Sequence, residues 1–236
     1  MTRDFASFGA RFGWPRALRT FPLCIGHRGA SGHRTENTLE AFEVASHLGA
    51  DMWELDTQLS RDGVVFVSHD DHLQRVFGID RHISQMTAAE IVALGAPVPS
   101  FAEVAALGRR LGTGLYVELK AKGSGPLVWR ELMLHNQRFA CLGSFDTSQV
   151  RELRDSGCDF PLSVLVRVGH DPHALGDSAG ADVLHLCWER AGERPQDLVT
   201  PALMEKAFRM GREIVLWHEE RVPILKDIMQ LPVLGI

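Results

Sequence analysis

The feature that most constrains the fold of this chain is the regular alternation of short apolar runs with helix-like segments from Phe21 onward. Eight runs have the composition of strands, and most are separated by helical spacers: Leu23–Gly26, Met52–Leu59, Leu115–Lys120, Ala140–Phe145, Leu162–Val166, Val183–Cys187, Glu213–Trp217 and Pro232–Ile236. Repeated β–α units build a parallel sheet covered by helices. Eight units predict an α/β fold of the (β/α)8 TIM-barrel class. An open doubly wound sheet is the alternative, although no GxGxxG motif follows the first strand.

The helical spacers carry their own start and stop signals. Thr200–Gly211 begins with an N-cap Thr and a first-turn Pro, and it ends at a Gly. The segment ENTLEAFEVASHLG forms a second predicted helix, which ends at Gly49 and has an apolar stripe formed by Leu39, Phe42, Ala45 and Leu48.

The 236 residues are expected to form one domain. We assign residues 21–236 to the barrel and residues 1–20 to an N-terminal segment that caps it. Phe5, Phe8 and Phe12 lie on one helical stripe of that segment, beside a set of basic residues, Arg3, Arg11, Arg16 and Arg19. A peripheral membrane anchor is the alternative interpretation of this amphipathic stretch.

Charge and composition limit the partners. The chain has 25 basic and 30 acidic residues, a net charge of −5, which argues against a general nucleic-acid binder. No apolar stretch reaches the roughly 18 residues of a membrane span. The N-terminus lacks the apolar core of a signal peptide, and the four cysteines form no CxxC pair. These features predict a cytoplasmic protein, while its oligomeric state stays open.

Three carboxylates are predicted to meet at the ends of two strands. Side chains alternate along a strand, so Glu54 and Asp56 share one face, and Glu118 and Lys120 share one face of another strand. Carboxyl ends of barrel strands surround the mouth, where this fold places active sites. Taken alone, the carboxylates could be a solvated strand face, and Lys120 could simply form an ion pair with Glu118.

Two histidines are predicted to join them. In TQLSRDGVVFVSHD, a two-residue turn at Asp62-Gly63 would place His69 opposite Asp56. The first strand runs into Gly26-His27-Arg28-Gly29, which brings His27 and Arg28 to the same rim.

This set of residues indicates a reaction class. Converging carboxylates repel one another unless they are neutralised, which Lys120 and a bound divalent cation can do together. Oxygen ligands favour Mg²⁺, Ca²⁺ or Mn²⁺ over zinc. Histidine has an unperturbed pKa near neutrality and arginine can grip phosphate, so two histidines and an arginine at this rim indicate metal-assisted acid–base cleavage of a phosphate ester.

The order of the motifs resembles the glycerophosphodiester phosphodiesterase family. The similar segments are HRGASGHRTENTLEAF, GADMWELDTQLSRDGVVFVSHDDHLQR, PSFAEV, VELK and SFD, and they extend the resemblance over about nine-tenths of the chain. The resemblance implies a TIM barrel with a divalent metal, Mg²⁺ or Ca²⁺, and with a short β-hairpin insertion after the second strand. It implies that the metal ligands are Glu54, Asp56 and Glu118, the acid–base pair His27 and His69, the substrate contacts Arg28, Lys120 and Trp217, and a supporting residue Glu36.

The sequence departs from the family pattern at the seventh barrel strand and at its end. Trp217-His218-Glu219-Glu220 stands where the family has Trp-Thr-x-Asn, and the sequence stops at Ile236 where family chains continue with Thr-Asp-x-Pro. Substrate contacts made by the family's Thr and Asn are therefore in doubt, and a loop and the last helix are expected to be altered.

The sequence thus predicts hydrolysis of small-molecule glycerophosphodiesters to sn-glycerol 3-phosphate and an alcohol. The alternatives are a non-catalytic phosphodiester-binding barrel and a metal hydrolase of another bond class. Which histidine is the acid, whether water or the substrate 2-hydroxyl attacks, and which head group is preferred all stay open.

Overall fold

The computed structural model describes residues 5–15 and 22–236. Three of the basic residues noted in the N-terminal segment, Arg3, Arg16 and Arg19, lie outside this part. From the N-terminus the elements are α1 (Phe5–Arg11), β1 (Ile25–His27), α2 (Leu39–His47), β2 (Met52–Leu59), β3 (Val65–Val67), α3 (Gln74–Phe77), α4 (Ala88–Ala93), α5 (Phe101–Leu111), β4 (Gly114–Leu119) and α6 (Gly125–Leu134). There follow β5 (Ala140–Ser144), α7 (Thr147–Asp155), β6 (Leu162–Arg167), α8 (Pro172–Ala179), β7 (Val183–Cys187), α9 (Pro201–Arg209), β8 (Glu213–Leu216) and α10 (Val222–Ile228). The chain divides into two compact units, one of residues 26–140 and one of residues 141–236 with the described residues up to 25.

In the 26–140 unit, strand β2 runs parallel to β4, with Asp56 opposite Glu118. Trp53 and Leu55, on the other face of β2, are completely buried, and the Trp53 ring stacks on Phe42 of α2 at 5.0 Å. The alternation of the strand therefore sends its apolar residues toward a helix and its carboxylates to the opposite face, as predicted.

The hairpin that joins β2 to β3 differs from the prediction by one residue. Thr57 lies opposite Val67 and Ser60 donates its backbone N–H to Val64, so the loop has three residues, 61–63. The Ser60 hydroxyl accepts from the Val64 N–H and donates to Asp62, while Gly63 takes the left-handed conformation typical of three-residue hairpins. Ser68 consequently lies opposite Asp56, and the predicted pairing of Asp56 with His69 is wrong.

The segment between β3 and α5 forms the predicted short insertion. It has an apolar cluster of its own, formed by Phe66, Leu73, Ile83, Met86, Ile91 and Val98. A capping box formed by Thr87 and Glu90 starts α4, which lies inside the insertion, and a second one formed by Ser100 and Glu103 starts α5, which follows it. These caps fix where the insertion ends and the β–α repeat resumes.

In the 141–236 unit, β5, β6, β7 and β8 pair in parallel in chain order. The predicted eighth strand, Pro232–Ile236, is present only as two isolated parallel bridges. Gly235 forms both of them, one with Leu23 and one with Val215. A side chain at Gly235 would lie 2.7 Å from the Ile25 side chain, so glycine permits this close approach.

Helix α1 belongs to the same unit. Phe5, Phe8, Phe12 and Trp14 are each at most 7% exposed. Arg11 forms an ion pair of 3.0 Å with Asp182, which directly precedes β7. The aromatic stripe is therefore covered by protein, and a membrane-surface helix would need it exposed. Among the helices of residues 5–15 and 22–236, none has the length and hydrophobicity to cross a bilayer.

Candidate active site

Three carboxylates converge in the 26–140 unit, as the sequence predicts. Glu54, Asp56 and Glu118 each offer an oxygen, and these atoms lie within 4.8 Å of one another. Glu54 is 7% and Asp56 1% exposed, so water screens this charge poorly. Within the described part of the chain, these three form the one group of acidic, His or Cys side chains with the spacing of metal ligands.

The electrostatics of the trio favour a bound cation. Burial raises the pKa of Glu54 well above its ordinary range, and the neighbouring carboxylates of Asp56 and Glu118 raise it further. Burial, followed by the charge of Asp56, also raises the pKa of Glu118. Desolvated carboxylates that repel one another fit a hard divalent cation, which replaces the lost hydration with direct coordination.

Two cations already lie against the trio. Lys120 Nζ is 3.3 Å from Asp56 Oδ1 and 3.0 Å from Glu118 Oε1. Burial alone would lower the pKa of Lys120, but the charges of these two carboxylates outweigh it and raise the pKa. Arg28 Nε is 3.4 Å from Asp56 Oδ2, and the Arg28 backbone N–H donates to Glu54 Oε2 at 3.1 Å. The predicted phosphate contacts thus lie directly beside the predicted metal ligands.

His27 reaches the trio from the end of β1. Its Nε2 is 3.8 Å from Glu54 Oε2, and its side chain is 33% exposed. Arg28 and Gly29 follow with φ of 57° and 79°. A side chain on Gly29 would lie 2.8 Å from the Ala41 carbonyl carbon, so glycine is required where this turn meets α2.

His69 lies on a cavity that Lys120 also lines, and not at the strand position opposite Asp56. It follows the end of β3, where Gln58 Nε2 donates to its carbonyl oxygen at 3.1 Å, and its Nδ1 is 2.8 Å from Asp70 Oδ1. A cavity of about 650 Å³ is lined by both His69 and Lys120, together with Asp70, Asp71, His72, Gln74, Arg75 and His82. Lys120, which lines this cavity together with His69, is the residue that also contacts Asp56 and Glu118.

Glu36 supports the cations. It accepts from Arg28 Nη1 at 3.0 Å and from Arg75 Nη2 at 2.7 Å. Burial would raise the pKa of Glu36, but the hydrogen bonds and charges of Arg75 and Arg28 outweigh it and lower the pKa.

Sequence reasoning missed three polar residues of this site. Asn37 is 2% exposed, and its Nδ2 donates to Asp56 Oδ2 at 2.9 Å. Asp70 bonds His69, and Arg75 connects Asp70 with Glu36. Two of these residues stand next to predicted site residues in the sequence, since Asn37 follows Glu36 and Asp70 follows His69. Nothing in the sequence around Arg75 indicates its contact with Glu36.

Trp217, the remaining predicted substrate contact, lies in the other unit. It is 1% exposed, and its indole N–H donates to Glu219 Oε2 at 3.1 Å. Arg221 also donates to both oxygens of Glu219. A substrate-facing wall would require an exposed ring face, so Trp217 stays a predicted substrate contact that its burial does not favour.

Comparison with known proteins identifies the class. The family model described as the glycerophosphoryl diester phosphodiesterase family matches residues 27–158. That span covers more than half of the chain and includes every predicted site residue except Trp217. The chain therefore belongs to the glycerophosphoryl diester phosphodiesterase family.

Individual relatives agree with this assignment. A mouse protein named lysophospholipase D GDPD3 is 46% identical over 78 residues, which are 33% of this chain and 23% of that protein. A glycerophosphodiester phosphodiesterase of Bacillus subtilis is 30% identical over 142 residues, or 51% of this chain and 47% of that protein. The chain spans less than two thirds of the length of the first curated relatives it matches.

Solved structures confirm the fold. A glycerophosphodiester phosphodiesterase of Thermotoga maritima superimposes with a TM-score of 0.74 at 24% identity, covering 92% of this chain and 94% of that one. A phosphodiesterase of Oleispira antarctica, solved with the product sn-glycerol-3-phosphate, gives a TM-score of 0.74 at 20% identity and covers 91% and 92%. The predicted α/β fold of the TIM-barrel class is thus confirmed.

Proposed function

We propose that this chain is a divalent-metal-dependent phosphodiesterase that hydrolyses glycerophosphodiesters to sn-glycerol 3-phosphate and an alcohol. The observation that carries the proposal is the buried trio of Glu54, Asp56 and Glu118, with His27 beside Glu54 and with Lys120 in contact with the trio and on the cavity that His69 lines. A non-catalytic binding barrel has no need for a desolvated carboxylate cluster beside two histidines. The positive charges of Arg28 and Lys120 beside the trio suit a phosphate, which argues against a metal hydrolase of another bond class.

Each residue has a role in this proposal. Glu54, Asp56 and Glu118 would hold the cation, Mg²⁺ or Ca²⁺. A cation bound there would neutralise charge on the phosphate and polarise its oxygens. Arg28 and Lys120 would bind the phosphate oxygens that carry the growing negative charge.

The two histidines would move the protons. The Asp70 carboxylate favours a proton on His69 Nδ1, so Nε2 is the atom that would exchange a proton with the substrate. His27 would perform the complementary transfer. One imidazole removes the proton of the attacking water or substrate 2-hydroxyl, and the other protonates the departing alkoxide. Attack by the 2-hydroxyl would give a cyclic phosphate, which water would then open to sn-glycerol 3-phosphate with the two histidines in exchanged roles.

The cavity suits a charged substrate. Acidic, basic and histidine side chains surround it, and we take a deacylated glycerophosphodiester as the substrate class to test first. The relatives named lysophospholipase D make a lysophospholipid the second substrate worth testing. Such a reaction belongs to the breakdown of phospholipids and the recovery of their glycerol.

The test is a coupled assay of glycerol 3-phosphate released from glycerophosphocholine, with lysophosphatidylcholine in parallel. We expect turnover that EDTA abolishes and that Mg²⁺ or Ca²⁺ restores. Binding of the diester without turnover in either metal would support the non-catalytic barrel. Faster release from the lysophospholipid would reassign the substrate.

We also propose a cytoplasmic location and a capping role for the N-terminal segment. The cysteines Cys24, Cys141, Cys158 and Cys187 are free thiols, which suits a reducing compartment. Capping is supported by the Arg11–Asp182 ion pair at the start of β7. Cell fractionation tests the first point, and loss of thermal stability on deleting residues 1–15 tests the second.

A further inference from the structure

Arg75 lies between two carboxylates of the 26–140 unit. Its Nε donates to Asp70 Oδ2 at 2.5 Å, while Nη1 and Nη2 donate to the two oxygens of Glu36 at 3.2 and 2.7 Å. The guanidinium therefore uses three of its donors on two acids that are 34 positions apart in the sequence (36 and 70). Arg75 lies in the four-residue helix α3, at the start of the insertion.

Each of these carboxylates holds a different predicted site residue. Asp70 Oδ1 is bonded to His69 Nδ1 at 2.8 Å, and Glu36 Oε1 is bonded to Arg28 Nη1 at 3.0 Å. Hydrogen bonds and ion pairs thus run without interruption from His69 through Asp70, Arg75, Glu36 and Arg28 to Asp56.

The charges along this series alternate. Burial would raise the pKa of Asp70, but the hydrogen bonds from Arg75 and His69 outweigh it and lower the pKa. Asp70 and Glu36 are therefore both ionised at neutral pH and would repel each other without a cation between them. A planar guanidinium has donors fixed at set angles, so it holds both oxygens of Glu36 and one oxygen of Asp70 in defined orientations. A lysine ammonium is a point charge whose donors rotate freely and fix no such orientation.

We propose that Arg75 is a positioning residue that sets both the orientation of His69, through Asp70, and the orientation of Arg28, through Glu36. The inference rests on the proposed function for its kinetic consequences. One side chain of the insertion then couples the proton-transfer side of the site to its phosphate-binding side. Arg75 itself lines the cavity but needs no contact with the reacting atoms.

Replacing Arg75 should affect both sides of the site. For Arg75→Met we expect kcat to fall about 10–100-fold, the range typical for losing a residue that orients a site group through another residue. We also expect KM to rise, because Glu36 would no longer hold Arg28 in place. Arg75→Lys keeps the charge without the planar fork and should recover only part of the loss. Arg61→Met is the matched control, because Arg61 also ties the insertion to its surroundings, through Gln85 and Glu90, without contacting the site.

Double variants separate positioning from general stability. If Arg75 acts through Asp70, Arg75→Met should cost little further kcat in an Asp70→Asn background. Likewise, its effect on KM should largely disappear in a Glu36→Gln background. Independent, additive losses in both backgrounds would overturn the proposal.

A spectroscopic readout makes the test independent of turnover. ¹⁵N NMR of the imidazoles at one pH, with His69 assigned from a His69→Gln variant, should show Nδ1 protonated in the wild type and in Arg61→Met. In Arg75→Met and Arg75→Lys the His69 signals should move toward averaged tautomers. Unchanged His69 signals in both Arg75 variants would overturn the proposal. If the wild type hydrolyses no diester, the proposed function fails, but the NMR comparison still decides whether Arg75 orients His69.

Discussion

Asn37 donates a hydrogen bond from its amide to Asp56 Oδ2 at 2.9 Å while its own backbone is held at φ 56°. The left-handed conformation costs a non-glycine residue about 1–2 kcal/mol. Asn37 is among the residue types that tolerate it best. The turn before α2 thus accepts backbone strain and places an amide donor against a carboxylate at the centre of the site.

Variants of Asn37 should separate its two contributions. Asn37→Gly keeps the backbone freedom and removes the amide, so metal affinity should fall with little change in Tm. Asn37→Ala removes the amide and adds strain, so Tm should fall as well. Titration calorimetry and thermal melts measure the two effects, with Asn136→Ala, at φ 50° on the surface, as the control for strain alone. Wild-type metal affinity in Asn37→Gly would show that the Asn37 amide does not contribute to the metal site.

Metal binding should depend on all three carboxylates. Glu54→Gln, Asp56→Asn and Glu118→Gln should each lose metal affinity and activity together, because each removes one anionic ligand from the same site. Calorimetric titration of Mg²⁺ and Ca²⁺ checks this, with Glu43→Gln, which removes a surface carboxylate paired with Arg110, as the control. Wild-type affinity in all three variants would exclude the trio as the metal site.

Without metal, the same carboxylates should destabilise the protein as the pH rises. The folded-state pKa values of Glu54 and Glu118 are raised. Their stabilising contribution is therefore present below the ordinary pKa of 4.5 and is lost as the pH rises through the raised values. In EDTA, Glu54→Gln should become more stable than the wild type by about 1–3 kcal/mol toward pH 8. Melts from pH 5 to 8 measure this, and saturating Mg²⁺ should reverse the order.

The histidines should differ in their dependence on the leaving group. His27→Ala and His69→Ala should each lower kcat about 10²–10⁴-fold on glycerophosphocholine. The variant that lacks the general acid should regain much of its rate on a p-nitrophenyl diester, since that leaving group needs no proton. His135→Ala, a half-buried histidine beside Glu131 in the same unit, is the control. Near-native rates in both site variants would rule out the proposed acid–base pair.

Glu219 should stabilise the loop after β8 in a pH-dependent manner. Burial would raise its pKa, but hydrogen bonds from Arg221 and Trp217 outweigh it and lower the pKa to about 2. Its contribution is therefore complete above the ordinary pKa of 4.5 and disappears as the pH falls through about 2. Glu219→Gln should cost about 1–3 kcal/mol at pH 7 and progressively less under acid conditions. Denaturation at several pH values tests this against Glu220→Gln, whose side chain is on the surface; equal effects of the two variants would refute it.

The β–α alternation could be predicted from the sequence because it depends on local periodicity. The boundaries of Met52–Leu59 and Val183–Cys187 agree with the strands observed. The pleat of a strand also fixes which side chains share a face, so Glu54 and Asp56 had to lie together and away from Trp53. The first-strand turn that carries His27 and Arg28 was equally local.

Tertiary structure decided what local patterns leave open. Asp62-Gly63 is compatible with two loop lengths, and the longer loop is the one that bonds the insertion, through the Ala88 N–H to Asp62 Oδ1 and the Arg61 N–H to the Met86 carbonyl. Arg75 contacts Glu36, 39 positions earlier in the chain, from an insertion that packs on its own apolar cluster. The burial of Trp217 to 1% exposure is likewise a result of packing that its neighbours in sequence do not indicate. Contacts between residues far apart in sequence depend on how packed elements orient one another, and no short stretch of sequence encodes that orientation.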